Sequence, residues 1–148
     1  MFYLFLSLLN PTKKDIDARG KLCVVDTDGR LFELENGKKE ITLPVKAKRV
    51  TTQKDVVFII DENGKLWTFG KGLNGTLGHG NTDDKVTPKL VEKLAHLKVK
   101  QIGVSPDKNF RVVCTTEDGR AYVWGQCGSI GLSDNELTPV ELIRDHKN

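Results

Sequence analysis

Cysteine is scarce in this chain, and its spacing is unlike that of motifs in which cysteines act together. The three cysteines, Cys23, Cys114 and Cys127, are an odd number, and no two of them form a C-x-x-C pair. This pattern argues against a disulfide framework and against a zinc site. We therefore expect a reducing compartment, either the cytoplasm or the nucleus.

A long apolar run is missing as well. The most apolar stretch is MFYLFLSLL at residues 1–9, which is too short to span a bilayer. It lacks the basic n-region of a signal peptide, and no small-x-small cleavage site precedes Asn10-Pro11. We interpret it as a buried strand and leave two alternatives open, a weak signal sequence and an accident of where the chain begins. No membrane partner is expected.

Charge of one sign is not in large excess. The chain has 20 acidic and 23 basic residues, which leaves a net charge of +3. One basic cluster is diluted by Glu92 and is expected to be a solvated face rather than a phosphate-binding patch. Its members are Lys89, Lys93, Lys98 and Lys100. Nucleic acid is therefore not expected as a direct partner.

What the sequence does contain is a passage that nearly repeats itself. Residues 61–91 read DENGKLWTFGKGLNGTLGHGNTDDKVTPKLV, and residues 116–143 read TEDGRAYVWGQCGSIGLSDNELTPVELI. A third, degenerate copy is VVDTDGRLFEL at residues 24–34, and it is followed by Glu35 where the other two copies have Gly70 and Gly125. A period of about 50 residues is typical of repeat architectures, in which each unit buries its apolar faces against its neighbours.

The repeated passages carry the signals of β-hairpins. Asp28-Gly29, Asn63-Gly64 and Asp118-Gly119 each predict a two-residue type I′ turn, in which both central residues have positive φ. The strands around the second turn are predicted over Val56–Ile60 and Lys65–Phe69.

A core and a connection are also predicted by the pattern. The apolar spacing within Lys89–Leu97 predicts a turn or two of helix before a strand over Val99–Val104. Trp67 and Tyr122 are expected at matching places in successive repeats. The residues expected to be largely buried include Phe58, Ile60, Leu66, Val113 and Val123.

The repeat, x-D-G-x-aromatic-x-W-G followed by G-x-L-G-x-G and then T-P, resembles that of the regulator of chromosome condensation family. In that family about seven such repeats form a closed β-propeller. The resemblance implies an all-β fold, here a partial β-propeller with an open arc of about three blades. It divides the chain into an N-terminal apolar segment (1–19), a degenerate repeat (20–50), two repeats (51–104 and 105–143) and a tail (144–148).

The residues that the repeat singles out are glycines with an expected structural role in turns. They are Gly29, Gly64, Gly70, Gly75, Gly78, Gly119, Gly125, Gly128 and Gly131.

The residues that could bind a nucleotide or a metal do not occur in the patterns that such sites require. Gly70–Gly75 matches G-x-G-x-x-G, but a dinucleotide site needs that loop to open a helix within a βαβ unit, and the loop continues here. His79, His96 and His146 have no partner at a metal-ligand spacing. We predict no catalytic residues, no metal, no cofactor and no enzyme activity.

The resemblance and the loops on a rigid frame together indicate a function in recognition. We expect a non-catalytic protein-interaction or scaffold module that works with protein partners in a larger assembly. The alternative implied by the family is a guanine-nucleotide exchange factor for a small GTPase, or a regulator of one. The resemblance implies that an exchange factor presents a complete propeller face and an inserted wedge to the GTPase, and this sequence has neither a full set of blades nor an obvious insertion. It also lacks the basic tail through which the founding member would hold chromatin.

Overall fold

The computed structural model describes residues 13–106, 110–132 and 135–142. The apolar run Phe2–Leu9 and His146 lie outside these ranges. The described residues form twelve strands. They are β1 (Lys13–Asp17), β2 (Cys23–Asp26), β3 (Leu31–Glu33), β4 (Lys39–Ile41), β5 (Ala47–Gln53), β6 (Val56–Asp61), β7 (Leu66–Gly70), β8 (Lys85–Leu90), β9 (Val99–Val104), β10 (Arg111–Thr116), β11 (Ala121–Gly125) and β12 (Glu136–Glu141).

The strands form three four-stranded antiparallel sheets in chain order. We call them blade 1 (β1–β4), blade 2 (β5–β8) and blade 3 (β9–β12). Successive strands in each blade are neighbours, so each blade is a meander of hairpins. The all-β class and the open arc of three propeller blades are thereby confirmed. Within the described ranges, no helix has the length and apolarity needed to cross a membrane.

Blade 2 agrees closely with the sequence prediction. Its predicted strands appear as β6 and β7, paired in register from Val56 with Gly70 to Ile60 with Leu66. The predicted strand Val99–Val104 is β9.

The helix predicted within Lys89–Leu97 is mostly wrong. Lys89 and Leu90 belong to β8 and pair with β7, and only a single 3-10 turn forms after them, over Glu92–Leu94. The helical spacing has another cause, because Val91, Leu94 and Leu97 all enter the same core from an irregular segment.

Each face of blade 2 packs on a neighbouring blade. Val57, Ile59 and Phe69 face blade 1, where they join Cys23, Val25 and Leu31. The side chains that alternate with them face blade 3. These are Val56, Phe58, Ile60 and Leu66, which pack with Val112, Cys114, Tyr122 and Trp124.

The core prediction is confirmed for four residues and wrong for Val113. Trp67 and Tyr122 occupy matching places, since they pair with Ile59 and Cys114. Val113, at the position of Phe58, is 40% exposed because it lies on the face of blade 3 turned away from blade 2. The buried four are Phe58, Ile60, Leu66 and Val123.

The prediction of two-residue type I′ turns is also wrong. The N–H of Asp61 bonds to the carbonyl of Lys65, so the loop between them has three residues. Only Gly64 has a positive φ (78°), and its N–H closes the turn onto the carbonyl of Asp61. This is the three-residue hairpin loop in which a type I turn is followed by a left-handed residue. The corresponding loops of blades 1 and 3 have the same closing bonds.

Candidate functional site

The hairpin loops are shaped by one buried acceptor in each blade. In blade 2, Oδ1 of Asp61 accepts the N–H groups of Asn63 (2.8 Å) and Lys65 (2.9 Å), and Oδ2 accepts the indole N–H of Trp67 (2.8 Å). Asp26 makes the same two backbone contacts in blade 1. A carboxylate in this position satisfies backbone donors in a type I geometry, which explains why the type I′ turn does not form.

Blade 3 replaces this carboxylate with a hydroxyl. Oγ1 of Thr116 accepts the N–H of Arg120 at 3.1 Å and donates to Oδ1 of Asp118. The guanidinium of Arg120 donates to the other carboxylate oxygen of Asp118, and these contacts lower the pKa of Asp118 to about 2. The loop geometry is therefore kept with different chemistry. The aligned repeats show Thr116 in place of Asp61, but the role of this position is visible only in the structure.

The hairpin loops of blades 1 and 2 each hold the start of the following blade. The carbonyl of Gly29 accepts the N–H of Ala47, and the carbonyl of Gly64 accepts the N–H of Val99, both at 2.8 Å. The carbonyl of Lys46, the residue before Ala47, accepts the N–H of Glu62 in the hairpin loop of blade 2. In the same way, the carbonyl of Lys98 accepts the N–H of Glu117 in the hairpin loop of blade 3. We call this arrangement the inter-blade clasp.

The predicted glycines occupy turns and close contacts. Gly70 and Gly125 end β7 and β11, and a Cβ there would overlap the carbonyl oxygens of Asp55 and Phe110. Gly128 begins a 3-10 turn and is the one predicted glycine absent from those with positive φ. Those with positive φ are Gly29, Gly64, Gly70, Gly75, Gly78, Gly119, Gly125 and Gly131.

Blade 2 reaches onto blade 3 through the loop after β7. The indole N–H of Trp124 donates to the carbonyl of Thr76 at 2.9 Å, and the N–H of Gly80 donates to the carbonyl of Leu137 at 2.9 Å. Trp124 is fully buried. Its role is packing between blades.

His79 belongs to the interior of this loop. Its Nε2 lies 2.8 Å from Oγ1 of Thr68, whose own proton is donated to the carbonyl of Leu77. Burial, together with the charge of Lys89, lowers the pKa of His79 to about 4. His79 is therefore a neutral structural residue at pH 7.

The cysteines are free and buried. Burial raises the pKa of Cys23 and of Cys114 to about 12, and it raises the pKa of Cys127 as well. Thiols in this state are poor nucleophiles and poor metal ligands. In the part of the chain that the structure describes, no three His, Cys, Asp or Glu side chains come together to hold a metal ion.

The first strands of the three blades line a polar groove of about 550 Å³. Carboxylates of Asp15 and Asp17 in β1 accept the N–H groups of Val50 (2.9 Å) and Thr52 (3.0 Å) in β5. Burial alone would raise the pKa of Asp17, but bonds from Arg19 and from the backbone lower it below its usual value. The acidic residues of this groove thus join blade 1 to blade 2.

Among the described residues, the far face of blade 3 makes fewer contacts than the faces that meet inside the arc. Val113 is 40% exposed where Phe58 is 1% exposed, and Oγ1 of Thr115 is buried without a hydrogen-bond partner. A Cβ on Gly119 would meet nothing within 4 Å, whereas one on Gly64 would meet Lys98 at 3.1 Å. We call Val113 and Gly119 the open face of blade 3.

Comparisons with known proteins agree with this architecture. Residues 63–107 match the model of the regulator of chromosome condensation (RCC1) repeat. The E3 ubiquitin-protein ligase HERC2 of Homo sapiens is 39% identical over 122 residues, which is 78% of this chain but 2% of HERC2. The X-linked retinitis pigmentosa GTPase regulator homolog of Caenorhabditis elegans is 36% identical over 87 residues, or 55% of this chain and 6% of that protein.

Solved structures agree on the fold. Prp20p of Saccharomyces cerevisiae superposes with a TM-score of 0.71 at 16% identity, over 89% of this chain and 38% of Prp20p. The chain thus spans a small part of each of these relatives. With the repeat match at residues 63–107 and three blades of matching topology, the chain contains repeats of the regulator of chromosome condensation type.

Proposed function

We propose that the chain is a non-catalytic protein-interaction module that works as part of a larger assembly. The open face of blade 3 carries this proposal. At each junction inside the arc, a blade covers the apolar face of its neighbour, and a clasp joins the two backbones. The open face offers a valine side chain and the Gly119 loop in the same geometry, so it is suited to receive another blade-like sheet.

Relatives support a role in protein binding. Prp20p binds Gsp1p and histones, and it also forms a complex with Kap60. These proteins share the fold of this chain at 16% identity. Protein recognition on such a frame is a common use of propellers, whereas a catalytic role would need a cluster of reactive side chains.

We also propose a reducing compartment, the cytoplasm or the nucleus. The support is that Cys23, Cys114 and Cys127 are all free and buried. Structural cysteines of this kind persist as thiols where the cell keeps them reduced.

A charge on the open face should change the association of the chain. At micromolar concentration we expect the purified protein to form assemblies or to bind an apolar dye through this face. Val113→Glu should reduce either signal by about half or more, since it places a charge on the exposed apolar patch. The measurements are native mass and dye fluorescence, with thermal melting to show that the variant folds.

Val86→Glu is the matched control, because Val86 is 91% exposed on β8, the edge strand of blade 2, and does not belong to blade 3. It should leave native mass and dye binding unchanged. A monomeric wild-type chain that melts cooperatively and binds no dye would contradict the proposal. Equal effects of Val113→Glu and Val86→Glu would contradict the assignment of the association surface to blade 3.

A second candidate is regulation of a small GTPase, including nucleotide exchange. It is favoured by the 36% identity to a protein named as a GTPase regulator homolog. The assay loads candidate small GTPases with labelled GDP and measures its release with sub-stoichiometric amounts of the chain. We expect release at the intrinsic rate, and catalysed release would place the second candidate above the first.

A further inference from the structure

A basic cleft opens between blades 2 and 3, on the side of the arc that carries the hairpin loops. Its volume is about 530 Å³. Arg49 of β5 and Lys65 at the start of the second hairpin strand lie on one side, and Lys98 and Lys100 lie on the other. The described residues that line it are Lys48, Arg49, Ile60, Glu62, Asn63, Gly64, Lys65, Lys98, Val99, Lys100 and Glu117.

The inter-blade clasp fixes the backbone positions of Lys98 and Lys100. Val99 is 3% exposed, and its N–H is held by Gly64, so strand alternation directs Lys98 and Lys100 outward. The junction between blades 1 and 2 repeats this pattern, with Ala47 buried between the exposed Lys46 and Lys48. A rigid backbone therefore presents lysine pairs at both junctions along one rim of the arc.

All four lysines of the basic cluster in the sequence are solvent-exposed, as expected, but only two of them line this cleft. Lys98 and Lys100 line the cleft, but Lys89 in β8 and Lys93 in the 3-10 turn do not. Lys48, Arg49 and Lys65, which are distant in sequence, join the cleft instead. Only the fold brings these charges together.

The positive charge of the cleft is not neutralised by the described part of the protein. Five cations face two acidic side chains, Glu62 and Glu117. The ion pairs of Arg19, Lys21, Arg30, Lys71 and Arg120 lie outside this lining. The ammonium of Lys65 is held by the carbonyl of Leu97 at 3.1 Å, which fixes its charge at the cleft without cancelling it.

The lining favours a peptide over a nucleic acid. It contains no aromatic side chain on which a base could stack. Glu62 and Glu117 stand among the cations, and they would repel a continuous run of phosphates. A peptide with separated carboxylates can place them on the lysines and leave neutral residues opposite the glutamates.

We propose that this cleft binds an acidic, extended segment of a partner protein. The carboxylates contact Lys98 and Lys100 on one wall and Arg49 and Lys65 on the other. This site is separate from the open face of blade 3, and it does not depend on the function proposed above.

The test measures binding of a fluorescein-labelled peptide in which glutamate alternates with serine. We expect saturable binding by fluorescence anisotropy that weakens as salt is added. The double variant Lys98→Glu/Lys100→Glu should bind about tenfold more weakly, because two attractive contacts become repulsive. Glu117→Gln should bind about twofold more tightly, since it removes a repulsive charge from the cleft.

The matched control is Lys89→Glu/Lys93→Glu, which makes the same change in net charge outside the cleft. It should bind the peptide nearly as well as the wild-type chain, and thermal melting verifies that both double variants fold. Equal losses in the two double variants would show attraction by net charge alone and overturn the proposal. So would an absence of saturable binding, or tighter binding of a labelled oligothymidylate with the same dependence on Lys98 and Lys100. Because Val113→Glu leaves this cleft intact, failure here is distinguishable from failure of the proposed assembly.

Discussion

Phe58→Ala is expected to lower the free energy of unfolding by about 3–5 kcal/mol, the usual cost of removing a large side chain from a core. Phe58 is 1% exposed at the centre of β6 and packs in the cluster shared by blades 2 and 3. The cavity would be lined by strands of two sheets whose hydrogen bonds fix their spacing, so the site can collapse only slightly.

The measurement is equilibrium unfolding in denaturant, with the slope compared between variants to show that the transition keeps its character. Val86→Ala is the control, because Val86 is 91% exposed and should change the free energy by about 0.5 kcal/mol or less. A loss below about 1 kcal/mol for Phe58→Ala would contradict its place in the core.

Much of this fold can be predicted from the local sequence. An apolar strand, an Asp-Gly or Asn-Gly pair and an alternating strand recur three times, and each recurrence became the central hairpin of a blade. Strand alternation also assigned Leu66 and Trp67 to opposite faces, as the structure shows. These features depend only on neighbours in the chain, which explains why they were predictable.

The errors concern contacts that the apolar pattern of a strand does not report. The type of each hairpin turn is decided by Asp26, Asp61 or Thr116, which lie before the turn residues and accept their N–H groups. The burial of Val113 depends on what covers blade 3, and not on the apolar pattern of β10. A pattern in one strand cannot report either fact.

The candidate sites were less predictable than the fold. The basic cleft combines residues from β5, the second hairpin and β9, which are separated by up to about 50 residues of sequence, one repeat period. A signal was present in the two Lys-x-Lys pairs at equivalent places, Lys46 with Lys48 and Lys98 with Lys100. It becomes meaningful once the clasp shows that the residue between each pair points inward.

Blade 1 shows how the repeat tolerates the loss of its motif. Glu35 stands where blades 2 and 3 have glycine, and the loop from Leu34 to β4 is short. The sheet still closes, because the N–H of Leu34 reaches the carbonyl of Leu22 at 3.0 Å. The glycine is therefore needed where the chain leaves the third strand toward the long loop, and not for the hairpin itself.

Gly70→Ala is expected to lower the free energy of unfolding by about 2–5 kcal/mol, because strain and steric overlap act together. Gly70 has φ of 113°, a region that residues with a side chain rarely adopt. Its Cβ would overlap the carbonyl oxygen of Asp55, which also accepts the N–H of Lys71 at 3.1 Å. Relief of the overlap would break this bond and separate the ends of β6 and β7.

Gly119→Ala separates the two contributions. Gly119 has φ of 85°, but a Cβ there meets nothing within 4 Å, so only the strain of about 1–2 kcal/mol should remain. Denaturant unfolding of both variants measures the difference, and Gly125→Ala, which would overlap Phe110, should resemble Gly70→Ala. Equal losses for Gly70→Ala and Gly119→Ala would show that the close backbone approach at the end of β7 contributes nothing beyond its φ. In that case the repeated glycine would be retained for the turn alone.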